Sequence, residues 1–199
     1  MKYKNSLSVL AIGVVLSFML TSCKNEAKEY KESPEEAIQL NAENEITRGK
    51  YLVGIMGCND CHSPKRMGKN GPEIIPELML SGYPSDRPII KFDNKQLKEG
   101  FAMFYPDLTA GAGPWGISFA GNLTPDDTGI GGWSEEQFKT ALTKGKFKGL
   151  ENGRMLLPPM PWTNYTEMTD EDLSAMFNYL QSINPVSNVA PSPVSPENM

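Results

Sequence analysis

The chain has 199 residues, room for one ordinary domain, and its 39% hydrophobic content with 18 Gly and 16 Pro describes a globular protein with much irregular structure. Its 19 basic and 24 acidic side chains leave a formal charge of −5, which argues against nucleic acid as a partner because neutralising phosphates needs a basic surface. Three cysteines cannot build a disulfide framework, and a single histidine excludes any mechanism that needs two imidazoles.

In chain order, Lys2 and Lys4 precede an apolar run from Leu7 to Leu20, and small residues follow. The run is shorter than the roughly 20 residues of a bilayer span, so the pattern predicts an export signal over residues 1–22. It closes on Leu20-Thr21-Ser22-Cys23, which resembles the lipobox of bacterial lipoproteins. That resemblance implies cleavage before Cys23, acylation of its sulfur and amine, and attachment to the periplasmic side of a bacterial membrane. Without Lys2 and Lys4 the remaining chain sets 17 basic residues against 24 acidic ones, a balance of −7. Residues 23–44 are mostly charged and polar, carry Pro34 and have few large apolar side chains; they are expected to form a flexible tether.

Three stretches predict helix. Thr47 to Met56 sets Tyr51, Leu52, Ile55 and Met56 at spacings of three to four. Ser134-Glu135-Glu136-Gln137 is a capping-box pattern, followed by Phe138, Ala141 and Leu142 and closed by Gly145. Thr169-Asp170-Glu171-Asp172 approximates another cap and opens a helix with Leu173, Met176, Phe177 and Leu180 on one face, stopped by Pro185. Between His62 and Gly132 the chain is rich in Gly and Pro without a sustained period. So long a loop in a small domain normally wraps something or serves a function. Residues 184–199, with Pro185, Pro191, Pro193 and Pro196, are expected to be a disordered tail. The expected fold is therefore all-α, a helical frame over residues 45–183 with a long irregular Gly/Pro-rich wrap.

The chemistry lies in Gly57-Cys58-Asn59-Asp60-Cys61-His62. Cys-x-x-Cys-His is the attachment signal of c-type haem: two thiols at this spacing reach one porphyrin edge, and the adjacent imidazole lies beneath the iron. A zinc site would need two further ligands, and the only other cysteine is Cys23. A thioredoxin-like redox pair would need a βαβ context, which the surrounding pattern lacks. No other histidine can fill the second axial position, and methionine, the common partner in cytochromes c, is the natural candidate, with an open position as the alternative. Of the 11 Met, Met160 stands between Pro159 and Pro161, which fix the backbone on both sides and present one thioether rigidly. Met155 is the second candidate.

Four stretches resemble one family: Arg48-Gly49-Lys50-Tyr51-Leu52-Val53 leading into the Cys58–His62 motif; Asn122 to Gly131; Trp133-Ser134-Glu135-Glu136-Gln137-Phe138; and Pro159-Met160-Pro161-Trp162 with Met168 to Leu173. On these, the run from Arg48 to Ile183 resembles class I cytochromes c. Within them it is similar to a single haem domain of the cytochrome subunits of membrane-bound alcohol and gluconate dehydrogenases. The resemblance implies one covalent haem c with thioethers at Cys58 and Cys61, His62 as proximal ligand and Met160 as distal ligand. It also implies that the first helix packs against the last. Those subunits carry three haem motifs and this chain one, and no C-terminal membrane helix is evident; the lipid on Cys23 is expected to anchor it instead.

The expected function is that of a monohaem electron carrier on the periplasmic side of a bacterial membrane, serving redox protein partners such as a dehydrogenase or an oxidase. The chain itself is not expected to be an enzyme. The alternative is a five-coordinate haem protein that binds a small gas or peroxide, which would require that no Met ligates iron; a weaker option is a scaffold lipoprotein with a structural haem. Trp115, Trp133 and Trp162 are candidates for core packing or for donating an indole N–H to a propionate. Arg154 is a surface or propionate-pairing cation, and Asp126-Asp127 favours a turn over calcium chelation.

Overall fold

Ser33-Pro34-Glu35-Glu36 starts the first helix, α1 (Pro34–Ile55). The Ser33 hydroxyl accepts the Glu36 amide at 3.2 Å while the Glu36 carboxylate accepts the Ser33 amide at 2.9 Å, a reciprocal cap with proline in the first helical position. The computed structural model describes residues 33–89 and 91–199. The expected export signal and Cys23 lie outside them. Part of the expected tether does not: residues 34–44 are helical, which corrects that reading for this stretch. Glu35, Glu36 and Ala37 are good helix formers behind a cap, and helical propensity does not require the large apolar side chains whose scarcity suggested a tether. Side chains from Asn41 to Arg48 are exposed, and among the residues of α1 whose burial is described, the buried ones are Gly49, Leu52 and Val53 near its end.

The unit Ala37–Met199 carries the core and the site. After α1 come α2 (Cys58–His62), α3 (Asn94–Lys98), α4 (Glu135–Lys144) and α5 (Asp170–Ser182). The two caps read from sequence form: Ser134 and Gln137 make a complete capping box on α4, Gly145 closes it in the left-handed conformation at φ 64°, and the Thr169 hydroxyl accepts the Asp172 amide on α5. Helix α1 crosses α5 at Gly49, where a methyl group would overlap the Ala175 carbonyl and the Tyr179 Cβ. Only glycine permits that approach. Leu52, Val53, Phe138, Leu142, Leu173, Met176 and Leu180 fill the main core between α1, α4 and α5.

The all-α expectation is overturned by two small antiparallel sheets. Strands β1 (Lys65–Gly68) and β2 (Gly71–Ile74) form a hairpin, with Lys65 opposite Ile74 and Gly68 opposite Gly71. Strands β3 (Met103–Phe104), β4 (Ala110–Gly113) and β5 (Gly116–Phe119) form a meander in that order. The wrap between His62 and Gly132 is thus partly pleated. Segments of two to four residues are too short to show the period-two alternation that identifies a strand, and β4 is the run Ala-Gly-Ala-Gly.

A second small core joins Leu97 of α3 to Ala112 and Ile117 of the meander, with Val194 and Met199 packed on it. Residues 184–199 are therefore not a disordered tail. Val194 exchanges two backbone hydrogen bonds with Ile117 at 2.8 and 3.0 Å. The buried Asn188 amide donates to the Ser81 and Tyr83 carbonyls at 2.6 and 2.9 Å and accepts the Ser85 amide at 2.8 Å. A proline-rich segment has no helical period to read, yet its carbonyls and one side-chain amide suffice to dock it.

Candidate haem site

Helix α1 stops because Gly57 adopts φ 70°, ψ 24°, the left-handed conformation that costs glycine nothing. The turn re-aims the chain into α2, one helical turn that holds Cys58, Cys61 and His62. Both cysteines are free thiols. Burial pushes the Cys58 thiol up to about 11, against a backbone hydrogen bond that pulls it down and the Asp60 charge that adds to the rise. Burial likewise raises Cys61, with Asp60 adding and Lys65 opposing. Both sulfurs are therefore protonated near neutral pH.

The His62 Nδ1 lies 2.7 Å from the Gly121 carbonyl oxygen. A carbonyl can only accept, so Nδ1 carries the proton and Nε2 keeps a lone pair, the arrangement of a metal-ligating imidazole with an orienting partner. Burial holds the ring pKa below its ordinary value, opposed by that same hydrogen bond, so the neutral form is favoured. The His62 carbonyl accepts the Gly82 amide at 2.8 Å. Just beyond, the buried Ser63 hydroxyl donates to the Asn59 side chain and accepts the Leu80 amide, both at 2.8 Å.

Met160 sits on a loop that the meander holds. The Ser118 hydroxyl of β5 donates to the Pro158 carbonyl at 2.6 Å, and the Pro159 ring lies against Gly111 of β4. The Pro158–Pro159 peptide is cis, and the Met160 amide donates back to the Leu157 carbonyl at 3.2 Å. Met160 and Cys58 are both half-buried and both border the main core, as do Met56, Met79 and Met168. Met155 differs: it is 41% exposed, and its backbone bridges to Lys146. Met176 is core and Met67 is exposed.

Two protonated thiols three residues apart, a neutral imidazole with a free Nε2 and thioethers at the edge of one apolar core are a donor set that fits a covalently held haem. Sequence reasoning missed Tyr165. It is buried in the main core that Cys58 borders, and burial pushes its phenol up. Nothing in its local sequence marks it, because it follows Trp162 in a short 3-10 turn and acts at long range.

The other singled-out residues separate clearly. Trp133 packs against the main core and Trp162 against Gly145, while the buried Trp115 indole N–H has no acceptor among the described residues. The Arg154 guanidinium stacks 3.9 Å from the Phe147 ring centre and donates to the Met155 carbonyl. Asp126 accepts the Thr128 amide and hydroxyl at 2.9 and 2.5 Å in a side-chain turn. Among the described residues no group of three His, Cys, Asp or Glu side chains could hold a bare metal ion, and no helix is long and apolar enough to cross a membrane.

The family model described as Cytochrome c matches residues 46–184. The chain is 29% identical over 195 residues to the fructose dehydrogenase cytochrome subunit of Gluconobacter japonicus, a match that covers 97% of this chain and 31% of that protein. It is 38% identical over 144 residues to the gluconate 2-dehydrogenase cytochrome c subunit of Pantoea cypripedii, covering 71% of this chain and 24% of that one. A shorter match, 35% over 82 residues, covers 39% of this chain and 16% of the cytochrome c subunit of the quinone alcohol dehydrogenase of Gluconobacter oxydans. The chain thus spans about a third or less of the length of these relatives.

Proposed function

The chain belongs to the cytochrome c family, and on that premise we propose that it is a monohaem electron carrier, tethered through a lipidated Cys23 on the periplasmic side of a bacterial membrane. In this reading the Cys58 and Cys61 thiols would hold one haem covalently, each through a thioether. His62 Nε2 and the Met160 thioether would hold its iron. The bound group supplies a one-electron ferric/ferrous couple; the chain positions it, excludes water and keeps the coordination fixed so that little reorganises on transfer.

The observation that carries the reading is the His62 Nδ1 hydrogen bond to Gly121, set within one helical turn of two protonated thiols. The Met160 assignment is supported by its place at the edge of the core that Cys58 borders, where Met155 is exposed. A redox protein is the partner class, a dehydrogenase being favoured because the relatives named above include cytochrome subunits of fructose and gluconate dehydrogenases. The chain then accepts and passes on electrons and transforms no substrate itself.

Protein matured in a host with c-type assembly machinery tests this. The expected result is a mass increase of one haem per chain that survives denaturation, a ferric spectrum with the weak far-red band of Met ligation, and loss of that band in Met160→Ala but not in Met155→Ala. Covalent haem without the band would replace the electron-carrier reading by a gas- or peroxide-binding one. No covalent haem would end both. Fatty-acid labelling that disappears in Cys23→Ser tests the anchor.

A further inference from the structure

The Lys65 ammonium, at the start of β1, is held by four main-chain carbonyls: Asp60 at 2.7 Å, Ser63 and Asp107 at 3.0 Å, and Asn59 at 3.2 Å. An ammonium has three hydrogens, so these acceptors saturate it and at least one bond is shared. Three of the four belong to the segment that carries Cys61 and His62. No carboxylate pairs with this cation among the described residues. Asp107 is the nearest buried acid, and its carboxylate is already engaged: one oxygen meets Arg87 Nη1 at 2.9 Å and the other accepts the Thr109 amide and hydroxyl. Arg87 is itself fixed between the Tyr83 and Tyr105 rings at 5.1 and 4.6 Å. The Asp107 charge is thus cancelled by Arg87, while Lys65 keeps its own.

We propose that Lys65 is a positioning residue that clamps the His62 turn and fixes one positive charge on its main-chain carbonyls, raising the reduction potential above the value the turn would have without that charge. The proposal rests on the haem reading above. Carbonyl dipoles replace water around the ammonium without cancelling its charge, so a half-buried cation there is screened less than one in solvent. Accepting an electron from a donor protein makes the iron centre one unit less positive. A fixed neighbouring cation therefore stabilises the reduced state relative to the oxidised one. The exposed Asp60 carboxylate, one residue before Cys61 and close to Gly57, works against it.

The test is a spectroelectrochemical titration of full-length holoprotein beside Lys65→Gln, which keeps amide donors but loses the charge, and Lys65→Arg, which keeps the charge. The expected result in the Gln variant is a fall of about tenfold in the equilibrium constant for reduction, or 59 mV for one electron, with an unchanged ferric spectrum. The Arg variant should stay close to wild type. A Gln variant with intact haem and an unshifted potential overturns the proposal. If the Gln variant yields no holoprotein, Lys65→Met, which also removes the charge, decides: a lowered potential with an intact spectrum upholds the charge role, and an unshifted potential overturns it. A wild type that attaches no haem overturns the haem reading itself, a failure that the spectrum separates from a missing shift.

Discussion

The two sides of the candidate haem site are built by different means. On the His62 side the chain is tied by polar contacts: Gly121 to the imidazole, Gly82 to the His62 carbonyl, Ser63 to Asn59 and Leu80, and Lys65 to four carbonyls. On the Met160 side the fixing is mostly covalent stiffness, from Pro158, Pro159 and Pro161, with one side-chain hydrogen bond from Ser118. Polar contacts buried beneath a turn are costly to break because each orphaned group keeps its desolvation penalty. Proline stiffness needs no partner but leaves the loop as a whole freer to lift. The comparison predicts that deleting a polar contact costs more on the His62 side, and that ligand loss starts on the Met160 side.

The largest expected effect is from Asp107→Asn, which leaves Arg87 facing a neutral amide in a site where the Asp107 side chain is 5% exposed. A loss of about 3 kcal/mol is expected at pH 7, read by urea unfolding of the holoprotein. Burial pushes the Asp107 carboxyl up, but hydrogen bonds from Thr109 and the Arg87 charge outweigh it and the net shift is downward. A depressed carboxyl contributes stability above its unfolded value of about 4 and loses it as the pH falls through the lower folded value. The gap between the variant and wild type should therefore narrow below about pH 4. A gap that widens there would contradict the pairing.

Ser63→Ala strands the buried Leu80 amide and should cost about 2 kcal/mol, with the same unfolding readout. Ser118→Ala removes the one side-chain tie on the Met160 loop and should cost about 1 kcal/mol, while exogenous imidazole displaces the Met ligand more readily in a ferric titration. Equal costs for the two serine variants would break the comparison. Outside both regions, the Arg48–Asp172 ion pair at 2.5 Å leaves the arginine 57% exposed, so solvent screens it and Arg48→Met should leave stability close to wild type. A marked loss would mean that the α1–α5 contact depends on charge and not on the close approach at Gly49.

Legibility in the sequence follows the range of the interactions. Cys58, Cys61 and His62 are marked by a five-residue motif, and α4 and α5 by caps within four residues, so short-range chemistry locates them. The start of α1 was equally local: Ser33-Pro34-Glu35-Glu36 is a capping box with proline at its first helical position, obscured by the polar composition that follows. Gly121 and Ser118 carry no such mark because their partners lie 59 residues away at His62 and 40 away at Pro158, and Lys65 carries none because its partners are main-chain carbonyls. The strands and the docked tail were hidden for a related reason. The strands are held by backbone groups, which every sequence possesses, and the tail by backbone groups and isolated side chains such as Asn188, none of which forms a periodic pattern.

The central claim is that His62 and Met160 close both axial positions, and carbon monoxide tests it most directly. Mixed with ferrous wild-type holoprotein, it should bind slowly or not at all, while Met160→Ala should bind it rapidly and completely. Rapid binding to the wild type, unchanged by the substitution, would contradict the account and leave an open haem site in place of an electron carrier.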